Sequence, residues 1–249
     1  MEAGRIVRRM DRRWYPSHAD NWDDAILRSR ILSRLTPRMT VLDLGAGAGI
    51  VSQMDFRSHA ARICGLDPDP RVRANPYLHE ARVGTADAIP WEEGSFDLVF
   101  ANNVLEHLSH PDRVFREVAR VLKPGGWFCV KTPNKWHYMP IFARLTPHAF
   151  HRYFNRLRGR AVVDTFPARY RANSRAAVRR LAAGCGMAVE RLELIEGRPE
   201  YLRISPVTYM AGLAYERLVN ASSLLASLRI VLIAELCRLA RVSAADSGG

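Results

Sequence analysis

Three glycines and two acids carry the chemistry that is legible in this chain. Asp43 lies in an apolar run, Val41-Leu-Asp-Leu44, and glycines follow at 45, 47 and 49. This order predicts a buried parallel strand running into a tight turn. Glycine there permits unusual dihedrals and lets a ligand touch main chain that a Cβ would shield. A nucleoside-bearing cofactor is therefore expected on Gly45, Ala46, Gly47 and Gly49. A second apolar run, Ile63-Cys-Gly-Leu-Asp67, ends in an acid roughly 20 residues past the glycines, where a carboxylate can accept both ribose hydroxyls. The fit to the dinucleotide fingerprint is loose, because its last glycine would fall at Val51 or Ser52. For proton transfer the candidates are His107, His137, His148 and His151, with His18 a weaker one, since imidazole titrates near neutrality. The competing reading of His107 is that it and Glu106 only cap and orient their loop. No His, Asp or Glu set shows ligand spacing, so no metal is expected.

These residues need a scaffold, and the patterning supplies one. Strands are predicted at 40–44, 63–67, 81–84, 96–101 and 127–131. A helix is expected from the glycines to about Arg57, and one or two helical turns at most between Arg71 and Leu78. Pro111 at a first helical position opens a helix through Leu122, stopped by Lys123-Pro-Gly-Gly126. Farther on come a helix over 174–184, a strand over 187–195, a helix opened by Ser205-Pro206, and a β-branched run at 229–236.

The order of these motifs over about residues 38–132 resembles the class I S-adenosylmethionine-dependent methyltransferases of the type 11 group. It is carried by Val41–Gly49, Ile63–Asp67, Gly84-Thr-Ala-Asp-Ala-Ile-Pro-Trp91, Phe96–Asn102 and Leu122–Lys131. The resemblance implies S-adenosyl-L-methionine as cofactor and a Rossmann-like α/β fold. That fold has a seven-stranded, mostly parallel sheet with an antiparallel last strand and helices on both faces. It implies that Asp67, with Pro68 beside it, holds the ribose, that Asp87 accepts from the adenine amino group, and that Ala88 and Ile89 pack on the ring. Asn102 and the adjoining Asn103 would hold the methionine end, and Asp43 would orient the turn or reach the amino group through water.

A chain of 249 residues suits a single α/β domain over 1–242. Its expected parts are an N-terminal cap (1–37, with a helix from about Asn21 to Leu35), a cofactor core (38–132), a lid (133–173), a helical insertion (197–227) and a disordered tail (243–249). The lid interleaves basic and aromatic residues and holds one acid, Asp164. Such a segment suits an anionic group or is an ordinary solvated face. The insertion is expected to bury Val207, Met210, Leu213, Ala214, Leu218 and Leu225 against the domain, a second subunit or a membrane. The net charge of +12 fits an anionic membrane surface. No nucleic-acid module is recognised, so nucleic acid is not an expected partner. The four cysteines are expected to be buried hydrophobes. Without a signal peptide or spanning segment, the expected location is the cytoplasm, with peripheral contact at the inner face of the membrane. The expected activity is O-methylation of a sugar or lipid-linked anionic acceptor. The alternatives are methylation of a quinone- or polyketide-like small molecule, and a non-catalytic cofactor-binding subunit; oligomerisation is left open.

Overall fold

The computed structural model describes residues 2–17, 21–145 and 168–240. Seven strands form one sheet in the order β3-β2-β1-β4-β5-β7-β6. They are β1 (Thr40–Leu44), β2 (Arg62–Asp67), β3 (Glu80–Val83), β4 (Phe96–Asn102), β5 (Leu122–Pro133), β6 (Met187–Ile195) and β7 (Val231–Arg238). The first five pair in parallel, while β7 runs antiparallel between β5 and β6, as expected of the last strand.

The alternation within β1 sorts the core. Leu42 and Leu44 point to one face, among Val99, Phe128 and the apolar residues of α3 (Pro111–Val121) and a later helix, Arg175–Ala183. Val41 points to the other, among Leu98, Phe100, Phe56 and the Leu27 and Ile31 side chains of α2 (Trp22–Leu32). With α1 (Glu2–Trp14) and α4 (Tyr138–Leu145) preceding it, Arg175–Ala183 is α5, and Pro206–Ala221 is α6. Both faces of the parallel strands are thereby covered, which is the condition for their near-continuous apolar runs.

Two expectations fail, each for a local reason. No α-helix follows the glycine turn; only one 3-10 turn forms, at Ser52–Met54. Arg28 of α2 donates to the carbonyls of Gln53 and Asp55 at 2.6 and 2.7 Å, consuming acceptors that a helix would use, and Phe56 drops into the core beside Phe100. In α6 the predicted apolar face is largely the wrong one. Val207, Met210 and Leu218 are exposed, and so is Ala214; the buried face is Tyr209, Gly212, Leu213, Glu216 and Val219. The reason is the N-terminal helix: Asp11 of α1, and Tyr15 just after it, hydrogen-bond Tyr209 and Glu216, so a partly polar face is the one covered. Ser205 and Thr208 cap α6 reciprocally. The helix ends at Ala221, short of 226, and a 3-10 turn at Leu224–Leu228 leads into β7.

Strand β5 starts earlier than predicted, because Leu122 already pairs with Phe96 before the chain bulges and Trp127 resumes opposite Leu98. The short link after β2 holds one 3-10 turn, Pro70–Ala74, as its length required. No helix among the described residues is long and apolar enough to cross a membrane. Cys64, Cys129, Cys185 and Cys237 are free; the first two are buried and the other two half-buried. Most of the predicted lid, and the tail, lie outside the described residues.

Candidate active site

A crevice of about 990 Å³ opens at the carboxyl ends of the parallel strands, where open α/β sheets bind ligands. The turn after β1 forms its floor. Gly45, Gly47 and Gly49 all have positive φ, at 80°, 51° and 73°. A Cβ on Gly47 would meet nothing within 4 Å, so that glycine faces open crevice; one on Gly49 would lie 2.4 Å from Asn75 Oδ1.

Asp67, at the end of β2, braces the turn. Its Oδ2 accepts from the Gly47 amide at 2.9 Å and its Oδ1 from the Asp69 amide at 2.8 Å. A carboxylate has about four acceptor sites, so both oxygens retain capacity for hydroxyl donors. Asn75 performs the complementary task, donating from Nδ2 to the Ala46 and Gly47 carbonyls at 2.9 and 3.2 Å. Asp43 is buried behind the turn. Burial, and secondarily the charge of Asp67, hold its carboxyl well above the usual carboxylate range.

At the other end of the crevice a buried ion cluster fixes the ends of β4 and β5. Lys131 is 1% exposed, and its Nζ lies 2.6 Å from Asp23 and 2.5 Å from Asp24 of α2. Asn102 donates to Asp24 at 2.8 Å, while its own Oδ1 is buried without a hydrogen-bond partner among the described residues. An orphaned acceptor beside the crevice suits a donor such as an ammonium group. Asn103, at φ 57°, takes the left-handed turn that ends β4. Thus Asp43, Gly45, Ala46, Gly47, Gly49, Asp67, Pro68, Asp87, Asn102 and Asn103 all line the one crevice. Ala88 and Ile89 are not on its lining: Ile89 is buried in the core against α3, and Glu117 of that helix accepts its amide.

The histidines separate. His107 lines the crevice on a 3-10 turn after β4. Its neighbour Glu106 is buried and accepts from the Thr132 hydroxyl at 2.7 Å, which in turn accepts from Asn173 at 2.6 Å. Glu106 therefore does fasten its loop, while His107 faces the cavity. His137 is 1% exposed and does not line the crevice; burial pushes its pKa down to about 3. His18, His148 and His151 lie outside the described residues. No group of three potential metal ligands occurs among the described residues.

The remaining wall comes from the loop after β6, with Glu196, Arg198, Pro199, Glu200, Tyr201 and Arg203, together with Tyr138 of α4. The two arginines are engaged: Arg198 pairs with Glu200 at 2.6 Å, and Arg203 with Asp11 at 2.6 Å. The sequence offered no signal for this wall, since its partners are brought together from α1, the loop and α6. Asn75 was also missed; an Asn-Pro step reads as a generic turn.

Sheet order, glycine turn and bracing acid together define a class I methyltransferase fold. Residues 42–130, which carry the glycine turn and Asp67, match the family described as "Methyltransferase domain". The chain is 32% identical over 130 residues to a ubiquinone biosynthesis O-methyltransferase of Bordetella avium, covering 45% of this chain and 54% of that one. It is 34% identical over 142 residues to a malonyl-[acyl-carrier protein] O-methyltransferase of Halorhodospira halophila, covering 50% and 48%. The chain thus spans about half the length of these curated relatives. Geranyl diphosphate C-methyltransferase from Streptomyces coelicolor A3(2), solved with S-adenosyl-L-homocysteine, shares the fold at a TM-score of 0.56 and 17% identity, over 87% of this chain and 80% of that one.

Proposed function

We propose that this chain transfers the methyl group of S-adenosylmethionine to a hydroxyl of a small, largely apolar or ring-bearing acceptor. One observation carries the reading: a single crevice joins the glycine turn and Asp67 to a wall of Tyr138, Tyr201, Leu108 and Ile230. Such a wall suits a planar or greasy acceptor body. The likeness to O-methyltransferases of ubiquinone biosynthesis points the same way. A sugar or lipid-linked anion is disfavoured, because Arg198 and Arg203 already face Asp11 and Glu200.

The bound cofactor would supply a methyl carbon already activated on sulfur. Asp67 would accept the ribose hydroxyls. Asn102 and Asp43 would receive the ammonium, and the Tyr138–Tyr201 wall would align the acceptor and exclude water. Calorimetric titration with S-adenosylhomocysteine tests the first half of this reading. A labelled-methyl screen against phenolic, quinol and lipid acceptors tests the second. Absence of binding would remove the proposal, and labelling confined to anionic lipids would reverse the choice of acceptor.

A second reading concerns location. Val207, Met210 and Leu218 of α6 are exposed, and α1 beside it shows Arg5, Arg8, Arg9, Arg12 and Arg13 on its outer surface. Exposed apolar residues on one helix and five exposed arginines on its neighbour suit an anionic lipid surface. Flotation with phosphatidylglycerol vesicles at low and high salt tests it, and equal recovery with neutral vesicles would reject it.

A further inference from the structure

We propose that Glu196, rather than any of the histidines, is the base that takes the acceptor's proton, and that buried His137 is its positioning residue. This inference rests on the methyltransferase reading above and adds a residue to it.

The argument begins with the hydrogen bonds around one carboxyl. Glu196 follows the end of β6, and its side chain is 5% exposed on the crevice wall. Its Oε2 accepts from the Ile230 amide at 2.8 Å. Among the described residues Oε1 takes no hydrogen bond, which leaves it for the cavity. The His137 ring packs behind Glu196. The Met139 amide donates to His137 Nδ1 at 3.2 Å, so the neutral ring carries its proton on Nε2. That Nε2 lies 3.6 Å from Glu196 Oε2, beyond hydrogen-bond range, and is a buried donor with no partner among the described residues.

A buried unsatisfied donor needs an explanation. Here a negative charge on Glu196 supplies one: the carboxylate would draw the imidazole N–H into a full bond. Tyr138 and Tyr215 pack against the ring, at 4.0 and 5.4 Å between centroids. His137 therefore offers a donor to the ionised form without itself becoming charged.

The titration behaviour agrees with this geometry. Burial pushes Glu196 up to about 8, with Glu216 of α6 adding to the rise and Arg229 opposing it. The other charged groups on its own loop are engaged: Arg198 and Arg203 both pair with Glu200, and Arg203 also with Asp11. A base titrating near neutrality is suited to proton abstraction, and a sulfonium in the same cavity would favour its ionised form. The step balances. The acceptor O–H bond breaks and its proton passes to Glu196 Oε1. The oxygen forms a bond to the methyl carbon, and the C–S electron pair returns to sulfur as a neutral thioether.

The test uses infrared titration of the carboxyl C=O band in the full chain, alone, with S-adenosylmethionine, and with S-adenosylhomocysteine. A band lost on raising the pH through about 8, and absent in Glu196→Gln, is expected. The sulfonium ligand should move that titration to lower pH while the neutral thioether leaves it, because only a carboxyl facing the reacting sulfur senses the difference. A band already ionised at low pH, or shifted equally by both ligands, overturns the proposal. Methyl transfer to 3,4-dihydroxybenzoate as probe should fall at least about 100-fold in Glu196→Gln with cofactor binding unchanged. Transfer at the wild-type rate also overturns it. If the probe is not turned over, the infrared arm decides alone. His137→Gln should retain cofactor binding and shift the carboxyl titration upward; an unmoved titration removes the positioning role. Failure of the wild-type chain to bind either ligand would instead refute the methyltransferase reading, with Glu196 still titrating. Should Glu196→Gln not fold, Glu196→Asp, which withdraws the carboxyl by one methylene, serves in its place.

Discussion

Replacing Lys131 with methionine gives the sharpest test of how the crevice is held. Lys131 is almost fully buried, and its ammonium touches Asp23 and Asp24 while Asn102 reaches the same Asp24 oxygen. Methionine fills similar volume but leaves two carboxylates facing one another without a cation. Removing one partner of a buried pair costs about 3–5 kcal/mol. Asp23 is 29% exposed on its side chain, so water offsets part of its share, and the lower end, about 3 kcal/mol, is expected. For a domain of this size that lowers Tm by roughly 6–12 °C. Urea unfolding followed by tryptophan fluorescence reads it directly, and Trp22 on the adjoining helix provides a nearby reporter. Adding Asp24→Asn should recover more than half of the loss. A deficit below about 1 kcal/mol at neutral pH, or no recovery in the double variant, would refute the claim that this cluster fastens α2 to the sheet.

Other outcomes are expected around the turn. Asp67→Ala should weaken S-adenosylhomocysteine binding by about 1–3 kcal/mol by calorimetry, since the turn loses its brace and the ribose its acceptor. Gly47→Ala should cost about 1–2 kcal/mol for its positive φ alone, whereas Gly49→Ala should cost more in the same unfolding assay, because its Cβ would strike Asn75 and Pro76. Equal costs would mean that Asn75 does not hold the turn. Cofactor affinity should rise with pH through the range in which Asp43 ionises: its carboxyl is held up by burial, and only the ionised form attracts an ammonium. Calorimetry in buffers of different ionisation enthalpy should show proton release on binding, and none in Asp43→Asn.

The strands, the glycine turn and Asp67 were legible because each depends on neighbours in sequence. Apolar runs ending in Asp43 and Asp67 define strand ends wherever they occur, and glycines mark the turn. The cluster around Lys131 was not legible, since its partners lie 107 and 108 positions away. Glu196 passed unnoticed for the same reason: an acid in a loop acquires meaning only once Ile230 and His137 enclose it. The failed face of α6 teaches a related lesson. Periodicity selected its apolar stripe, but α1 with Asp11, and Tyr15 just after it, covered a partly polar face instead.

Asp11 has a consequence for anyone altering this molecule. It belongs to the first helix, yet it grips Arg203 at 2.6 Å and the Tyr209 hydroxyl at 3.0 Å. The crevice wall formed by the loop after β6 is therefore latched by the first helix, far in sequence from the glycine turn. Changes to the first helix at Asp11 should therefore reshape this wall while leaving the glycine turn and Asp67 in place.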